Sequence, residues 1–333
     1  MQNPPASSAS AQQPLISFIV TYYNLPPQLL GACIDSIFAL SLAPEEREII
    51  VIDDGSEESP LETLREKWND ILYIRQQNQG LSAARNLGIE ACRGTFIQFV
   101  DGDDLLNTSI YEQCLDIVRQ KDPDIVAFHL SDKEERNMTV EYEGPMEGSE
   151  YMRHNNLRAS ACGYIFRKKT LVNLRFTSGI LHEDEEFTPE LFLRAEKVYS
   201  TNAKAYYYRN RGHSITRKND KEWVKKRLED TKGVLYRLVE RTDTLPLAER
   251  EAMQRRIDQL TMDYLYNVIT LTHNGRYLEQ CVAELTQKGL FPLPDRDYTQ
   301  KYKWFRRISS SKAGRRLLCL LITSPNPLQR RGN

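Results

Sequence analysis

The first third of the chain alternates short apolar runs with segments that carry an apolar residue at every third or fourth position. The runs at residues 15–21, 48–52, 71–75 and 95–100 are rich in β-branched and aromatic side chains, which predicts buried strands. Helical segments follow Pro27, Pro60 and Gly80, and Pro60 is predicted to be a first helical residue. The order β-α-β-α-β-α-β predicts parallel crossovers and an open twisted α/β sheet with helices on both faces.

The pattern changes after residue 106. The elements predicted next are a helix at 111–119, a strand at 125–128, an edge hairpin at 138–144, a helix at 151–157 and short strands at 198–201 and 205–209. Beyond residue 219 the predicted elements are helices at 223–241, 247–272 and 277–288. These helices are expected to pack on the preceding domain or to pair with a second subunit.

Polar side chains follow three of the predicted strands. They are Thr21, Tyr23 and Asn24 after the first strand, Asp53 and Asp54 after the second, and Asp101, Asp103 and Asp104 after the fourth. Because ligands bind beyond the carboxyl ends of strands in such sheets, these side chains are expected to share one cleft. Neighbouring carboxylates repel, so the cluster at 101–104 predicts a cation, and oxygen ligands favour Mg²⁺ or Mn²⁺ over Zn²⁺. A solvated Asp/Gly turn is the alternative.

Composition and charge narrow the choice of partners. The net charge is −1, with 40% hydrophobic and 27% charged residues, so no overall field selects nucleic acid. The six cysteines lie far apart without a metal spacing, which predicts free thiols in a reducing compartment, the cytoplasm. Residues 1–13 lack an apolar segment and predict a disordered leader. No apolar run approaches the roughly 20 residues that a membrane span requires.

Several phosphate-binding classes do not fit the motifs. The first strand is followed by neither G-x-G-x-x-G nor a Walker lysine motif, which argues against a dinucleotide or P-loop site. An aspartyl-phosphate phosphatase places its D-x-D after the opening strand, whereas Asp101 and Asp103 follow the fourth.

Four ordered motifs in this part of the chain resemble those of family 2 glycosyltransferases. They are VTYYN (20–24), VIDDGS (51–56), NQGLSAARN (78–86) and DGDD (101–104). The resemblance implies a GT-A fold, a Rossmann-like open twisted mixed sheet flanked by helices, here with a C-terminal helical extension. It also implies transfer of a sugar from a nucleotide sugar, usually a UDP-sugar, with inversion at the anomeric carbon and with Mn²⁺ or Mg²⁺ as cofactor.

The resemblance also implies roles for individual residues. The implied nucleotide-sugar site consists of Thr21, Tyr23, Asn24, Asp53, Asp54, Gly80, Arg85, Asp101 and Arg211. Within it, Asp53 would hold the nucleobase, Arg85 would lie near the base or the diphosphate, and Asp103 would bind the metal with Asp101. Two alternatives remain open: one of Asp53 and Asp54 caps the segment that follows, and Arg85 is a helix-surface arginine paired with a carboxylate.

Four consecutive acids at residues 183–186 form the next motif. An acidic run suits a helix N-terminus, where the helix dipole favours carboxylates. Glu183 and Asp184 also resemble the Glu-Asp pair of the family, whose aspartate is the general base for the acceptor hydroxyl. A sugar hydroxyl is a poor nucleophile until its proton leaves, so the chemistry requires such a group. We predict Asp184 as the base, with Glu183 as the reserve.

The basic loop at residues 210–216 resembles a mobile loop of the family, which closes over the diphosphate. Arg211 is predicted as a cationic clamp, and His213 as a clamp or metal ligand, although a lone loop histidine is more often solvated. Residues 161–167 lie where related enzymes shape the acceptor site, but the tryptophan common there is missing.

The last 33 residues contain nine Lys or Arg and no Asp or Glu. Basic residues beside Trp304, Phe305 and residues 317–322 predict an interfacial helix on anionic lipid at the inner face of the membrane, where a lipid-linked glycan acceptor would lie. The alternative is a basic helix against the protein's own acidic surface.

The predicted organisation has four parts. They are a leader at 1–13, a GT-A catalytic domain at 14–217 with a nucleotide-sugar half (14–106) and an acceptor half (107–217), a helical extension at 218–300, and a basic amphipathic tail at 301–333. We predict an inverting, metal-dependent glycosyltransferase that acts in the synthesis of a bacterial surface glycan. A homodimer is one of the arrangements expected for it. The rival functions are a nucleotide-sugar-binding protein without activity and a sugar-nucleotide nucleotidylyltransferase.

Overall fold

The computed structural model describes residues 13–210 and 220–322. Its strands are β1 (Ile16–Tyr22), β2 (Arg47–Asp53), β3 (Ile71–Arg75), β4 (Phe96–Asp101), β5 (Leu105–Leu106), β6 (Ile125–Ala127), β7 (Leu130–Ser131), β8 (Tyr142–Met146), β9 (Tyr164–Arg167), β10 (Val198–Thr201) and β11 (Tyr206–Tyr207). Its helices are α1 (Pro27–Phe38), α2 (Leu61–Leu64), α3 (Leu81–Ala91), α4 (Thr108–Lys121), α5 (Gly148–His154), α6 (Asp184–Leu193), α7 (Lys221–Thr242), α8 (Leu247–Thr272), α9 (Gly275–Gln287), α10 (Gln300–Ser309) and α11 (Lys312–Leu321). Two 3₁₀ helices cover Arg65–Asp70 and Lys168–Leu171.

The predicted α/β sheet is confirmed as a mixed sheet. Eight of the described strands form it in the order β3-β2-β1-β4-β9-β6-β10-β8. Strands β3, β2, β1 and β4 pair in parallel, and β6 pairs in parallel with β10. Strand β9 runs antiparallel between β4 and β6, and β8 runs antiparallel at the edge. A second, small sheet has the order β5-β11-β7.

Two local predictions are wrong. Residues 138–144 do not form a hairpin, because the strand there, β8, pairs instead with the distant β10. A helix follows Ser59 as predicted, but Pro60 precedes its first helical residue instead of being that residue, and α2 is one turn before a 3₁₀ helix. Leu64 is the one buried side chain of α2, so a longer helix there would gain little burial.

Two hydrophobic cores lie side by side in the described residues. One surrounds the large sheet, and the other joins the helices of the extension through residues such as Leu235, Tyr264, Leu285 and Phe305. Leu193, at the end of α6, packs against both cores. Helix α5 contacts α8, and helix α6 contacts both α7 and α8. The extension therefore packs on the α/β part, one of the two arrangements predicted for it.

Within the described residues, no helix combines the length and the apolar character needed to cross a membrane. The predicted leader lies outside these residues except for Gln13, and so does the end of the predicted tail from residue 323.

Candidate active site

The ends of three neighbouring strands define the candidate site. Strand register sets Tyr22 beside Asp53 and Thr21 beside Asp101. The Thr21 hydroxyl donates to Asp101 Oδ1 at 3.4 Å. The first, second and fourth motifs therefore meet at one edge of the sheet, as the strand order predicted.

Both carboxylates of the second motif hold the backbone that follows them. Buried Asp53 accepts hydrogen bonds from the Ser56 N–H at 2.8 Å and from the Tyr73 hydroxyl at 2.6 Å, and its Oδ2 lies 3.7 Å from Arg75 Nε. Asp54 accepts three bonds from the loop before α3: from Gln76 Nε2 at 2.6 Å, from the Gln79 N–H at 2.9 Å and from the Gly80 N–H at 2.8 Å. The expected capping role therefore applies to both residues.

Asn24 and Gly80 shape the loops beside these carboxylates. Asn24 donates its N–H to Ser56 Oγ at 3.0 Å and accepts the Glu57 N–H at 2.8 Å, which joins the first loop to the second. Gly80 has a φ of 88°, a left-handed conformation that favours glycine, at the start of α3. Tyr23 stays 41% exposed at the rim. The bonds of Asn24 fix the backbone of the first two loops on this side of the site.

Arg85 connects the motifs that lie farthest apart in the sequence. Its Nη1 donates to Glu183 Oε1 at 2.7 Å and its Nη2 to Asp101 Oδ1 at 3.2 Å. Burial lowers the pKa of Arg85, but the carboxylates of Asp101 and Glu183 outweigh burial and raise it. The alternative of a helix-surface arginine is wrong because Arg85 is buried, although its pairing with carboxylates is correct. Arg85 thus links α3, β4 and the start of α6.

The three aspartates of the fourth motif differ in environment. Asp104 is fully buried, and it accepts bonds from the Tyr206 hydroxyl at 2.9 Å and the Arg209 N–H at 2.8 Å. Burial, followed by the charges of Asp101 and Asp103, raises its pKa to about 8. Asp101 and Asp103 are half-buried. Asp101 and Asp103 therefore keep part of their surface exposed to solvent, whereas Asp104 holds the region of strand β11 in place.

Among the described residues, no three or more His, Cys, Asp or Glu side chains are arranged so that they could hold a metal ion without a further ligand. Asp101 and Asp103 nevertheless fit a cation that is bound together with a diphosphate, since Mg²⁺ sites commonly use one or two carboxylates plus substrate oxygens. Arg211 and His213 lie outside the described residues.

Asp184 stands at the first helical residue of α6, beside the Arg85 bridge. Its carboxylate makes no hydrogen bond or ion pair in the described part of the chain, whereas the carboxylate of Glu183 is bonded to Arg85. Burial raises the pKa of Asp184, the charges of Glu183 and Glu185 add to this, and Arg85 opposes it. An unbonded carboxylate with a raised pKa is suited to accept a proton.

Some residues at the site carry no recognisable signal in the sequence. Tyr73 and Tyr206 bind Asp53 and Asp104 from distant strands. Arg158, an exposed arginine without an ion pair among the described residues, interacts electrostatically with Asp184. These residues are isolated in the sequence, and only the fold brings them to the site.

Sequence comparison agrees with the motifs. The family model described as "Glycosyl transferase family 2" matches residues 17–167. Glycosyltransferase EpsJ of Bacillus subtilis is 31% identical over 220 residues, 61% of this chain and 63% of EpsJ. Glycosyltransferase GlyA of Streptococcus pneumoniae is 30% identical over 231 residues, 63% of this chain and 32% of GlyA. The match therefore spans less than two thirds of either relative.

Structural comparison extends over most of the chain. The crystal structure of S. aureus TarS 1-349 in complex with UDP-GlcNAc has a TM-score of 0.59 at 17% identity and covers 92% of this chain and 90% of TarS 1-349. Mannosyltransferase PcManGT from Pyrobaculum calidifontis, in complex with GDP-Man and Mn²⁺, also has a TM-score of 0.59, at 12% identity, covering 93% of this chain and 88% of its own. These likenesses confirm the GT-A type fold with extra C-terminal helices.

Proposed function

We propose that this chain, whose residues 17–167 match glycosyl transferase family 2, is a metal-dependent glycosyltransferase. It moves a sugar from a nucleotide sugar, a UDP-sugar by preference, to an acceptor hydroxyl with inversion. The observation that carries the proposal is the Arg85 bridge, which brings Asp101 of the fourth motif and Glu183 of the acidic motif to one guanidinium, with unbonded Asp184 beside them.

On the donor side, the bonded loops around Asp53 and Asp54 form a fixed wall for the nucleotide. Thr21 and Tyr23 would contact the base, and Asp53 would support them through the turn that it holds. Asp101 and Asp103 would hold a divalent cation together with the diphosphate. When bound, Mn²⁺ or Mg²⁺ supplies charge neutralisation for the leaving diphosphate. The PcManGT complex contains Mn²⁺ with GDP-Man, which supports a metal in a protein of this fold.

On the acceptor side, Asp184 takes the proton of the attacking hydroxyl. Its carboxylate is unbonded and its pKa is raised, so it has a free oxygen and the basicity for this step. Glu183 is a weaker candidate because its carboxylate binds Arg85. Direct attack opposite the leaving diphosphate inverts the anomeric carbon, and no covalent intermediate is required.

The acceptor is a bacterial surface glycan, free or lipid-linked. A relative supports this class: a region of the minor teichoic acid biosynthesis protein GgaB of Bacillus subtilis is 28% identical to this chain over 222 residues. The proposed location is the cytoplasm, at the inner face of the membrane, where such a donor and such an acceptor would meet. The surface formed by α10 and α11 is the proposed membrane contact. Homodimer formation stays a prediction.

A panel of UDP-GlcNAc, UDP-glucose, UDP-galactose and GDP-mannose with Mn²⁺ tests the proposal. The preferred donor is expected to raise the melting temperature only with metal, and slow hydrolysis is expected to release its nucleoside diphosphate.

Two variants separate the assigned roles. Asp103→Ala is expected to lose metal-dependent donor binding, whereas Asp184→Asn is expected to keep donor binding and lose turnover. Normal turnover by both variants would show that the roles are wrong. Failure of every donor to bind would remove the proposed function itself.

A further inference from the structure

The helix that begins at Asp184 is bonded to the helical extension along its length. Three of its acidic residues each bind one arginine of α7 or α8. The pairs are Glu185 with Arg256, Glu186 with Arg237 through two bonds of 2.8 Å, and Glu190 with Arg241 at 3.1 Å.

The residues just before α6 are held by the extension as well. Arg227 of α7 donates from Nε to His182 Nε2 at 3.0 Å, and Asp230 of α7 accepts the Leu181 N–H at 2.8 Å. His182 has a φ of 63°, a conformation that non-glycine residues rarely adopt, so these bonds hold an unfavourable backbone. The position of Asp184 therefore depends on α7 and α8 as well as on the sheet.

Arg256 binds Glu185, the residue next to Asp184 in the sequence. It is also the most buried of the three arginines. Its side chain is 7% exposed, whereas the side chains of Arg237 and Arg241 are 39% and 45% exposed. One Nη of Arg256 binds Glu185, the neighbour of Asp184, and the other donates to the Leu157 carbonyl at 3.3 Å. Arg256 thus ties the first turn of α6 to residues 155–160, the segment that carries Arg158.

We propose that Arg256 is a positioning residue: by binding Glu185 and the Leu157 carbonyl, it fixes the direction in which Asp184 faces the substrate. This inference rests on the proposed function, because it requires Asp184 to act as the base. A base must be held within a fraction of an ångström of its productive place, and a displacement of about 1 Å can cost on the order of 100-fold in rate.

Removing Arg256 alone would leave half-buried Glu185 beside other carboxylates without its counter-charge, and such an unpaired charge can prevent folding. The test therefore uses the double variant Arg256→Met/Glu185→Gln, which removes both charges. A second variant, Arg256→Lys, keeps the positive charge but cannot bind Glu185 and the Leu157 carbonyl with the geometry of the guanidinium. The control is Arg241→Met with Glu190→Gln, another pair between α6 and α7, whose glutamate lies five residues after Glu185 and also binds Arg194 within α6.

Turnover is measured as nucleoside diphosphate release from the panel's preferred donor with Mn²⁺, in the full chain. For Arg256→Met/Glu185→Gln we expect kcat to fall about 10- to 100-fold while the donor KM stays within about twofold. Arg256→Lys is expected to recover part of the loss, and the control is expected to stay within about twofold of the unmodified chain.

Unchanged kcat in the folded Arg256 variants would overturn the positioning role. So would an equal loss in the control, or a loss that appears in donor KM instead of kcat. Asp184→Asn separates this result from the proposed function. If that variant is inactive while the Arg256 variants are normal, only the positioning role is wrong, whereas an active Asp184→Asn removes both.

Discussion

The two adjacent carboxylates Asp53 and Asp54 hold different pieces of backbone. Asp53 fastens the turn at Ser56, and Asp54 fastens the loop that leads into α3 through three bonds. A charged acceptor with two main-chain donors is stronger than a neutral one, so the loop depends on the ionised form.

We expect Asp54→Asn to lower the free energy of unfolding by about 2 kcal/mol, because the new amide group would face donors at Gln79 or Gly80 and leave at least one N–H unsatisfied. Urea unfolding followed by circular dichroism measures this. Asp132→Asn, at an exposed position in the loop after β7, is the control and should stay within about 0.5 kcal/mol. Equal stability of the two variants would contradict the loop role.

His182 provides a pH-dependent contribution to stability. Burial, and then the nearby Arg227 charge, lower its pKa from 6.5 to about 4, while Asp230 opposes the shift. The unfolded chain therefore binds a proton on this residue at a higher pH than the folded chain does. The contribution is complete above pH 6.5 and is lost as the pH falls toward 4.

Between pH 7.5 and pH 5 we expect His182 to cost about 2 kcal/mol of unfolding free energy. His182→Asn removes the titration and tolerates the left-handed backbone. Its unfolding free energy should fall about 2 kcal/mol less over this interval than that of the unmodified chain. Identical pH slopes in urea titrations of both proteins would refute the assignment.

Helix α3 approaches the sheet closely because Gly88 has no side chain. A Cβ at Gly88 would collide with the side chain of Ile19 on β1. Alanine is normally favoured over glycine inside a helix by about 1 kcal/mol. At this position the collision opposes that preference.

We expect Gly88→Ala to destabilise the protein by about 1–3 kcal/mol. Gly233→Ala in α7 is the matched control, because its Cβ would meet only Nη1 of Arg237, at 3.3 Å, the guanidinium nitrogen that does not bind Glu186. That change should stabilise by up to about 1 kcal/mol. Thermal unfolding of the two variants should therefore shift in opposite directions, and shifts in the same direction would contradict this account of the packing.

Periodic, long elements were predictable from the sequence. The strands β1 to β4 and the helices α7 to α9 follow the apolar spacing, and Leu247–Thr272 was predicted to the residue. The insertion of β9 between β4 and β6 and the pairing of β8 with β10 depend on contacts between distant segments. Such contacts leave no local pattern, so the edge hairpin was predicted wrongly.

Candidate site residues could be predicted where several charged residues lie together in one short motif. Asp53, Asp101 and Asp184 stand out because carboxylates cluster at strand ends and at a helix start. Arg256 and Tyr206 do not stand out in the sequence. Each is a single residue within a regular helix or strand, and a residue that only packs there would give the same pattern. Their partners Glu185 and Asp104 lie 71 and 102 residues away.

At the scale of the whole molecule, the basic surface of α10 and α11 divides into two groups. Lys301, Lys303 and Arg315 pair with Asp263, Asp297 and Glu279 of the protein itself, as one of the two interpretations predicted. Arg307, Lys312 and Arg316 form no ion pair within the described residues. The exposed apolar residues of the same two helices are Trp304, Leu317, Leu320 and Leu321.

Removing residues 301–333 is a poor test of membrane binding, because Tyr302, Phe305 and Leu318 are buried in the helical core. We expect Leu317→Gln/Leu320→Gln/Leu321→Gln to reduce flotation with liposomes that contain phosphatidylglycerol at least tenfold, since each lost leucine contact is worth on the order of 1 kcal/mol. Neutral phosphatidylcholine liposomes should bind neither form. Equal flotation of both forms would reject the contact.

The arginine bonds between α6 and the extension limit how such enzymes can be recombined. A chimera that grafts residues 220–322 of another glycosyltransferase onto this α/β part would bring a new helical core, but not necessarily donors opposite Glu185, Glu186 and Glu190. Those acids would then lie against foreign helices without counter-charges. Exchange of modules in this architecture therefore requires transplanting α6 together with the helices that neutralise it.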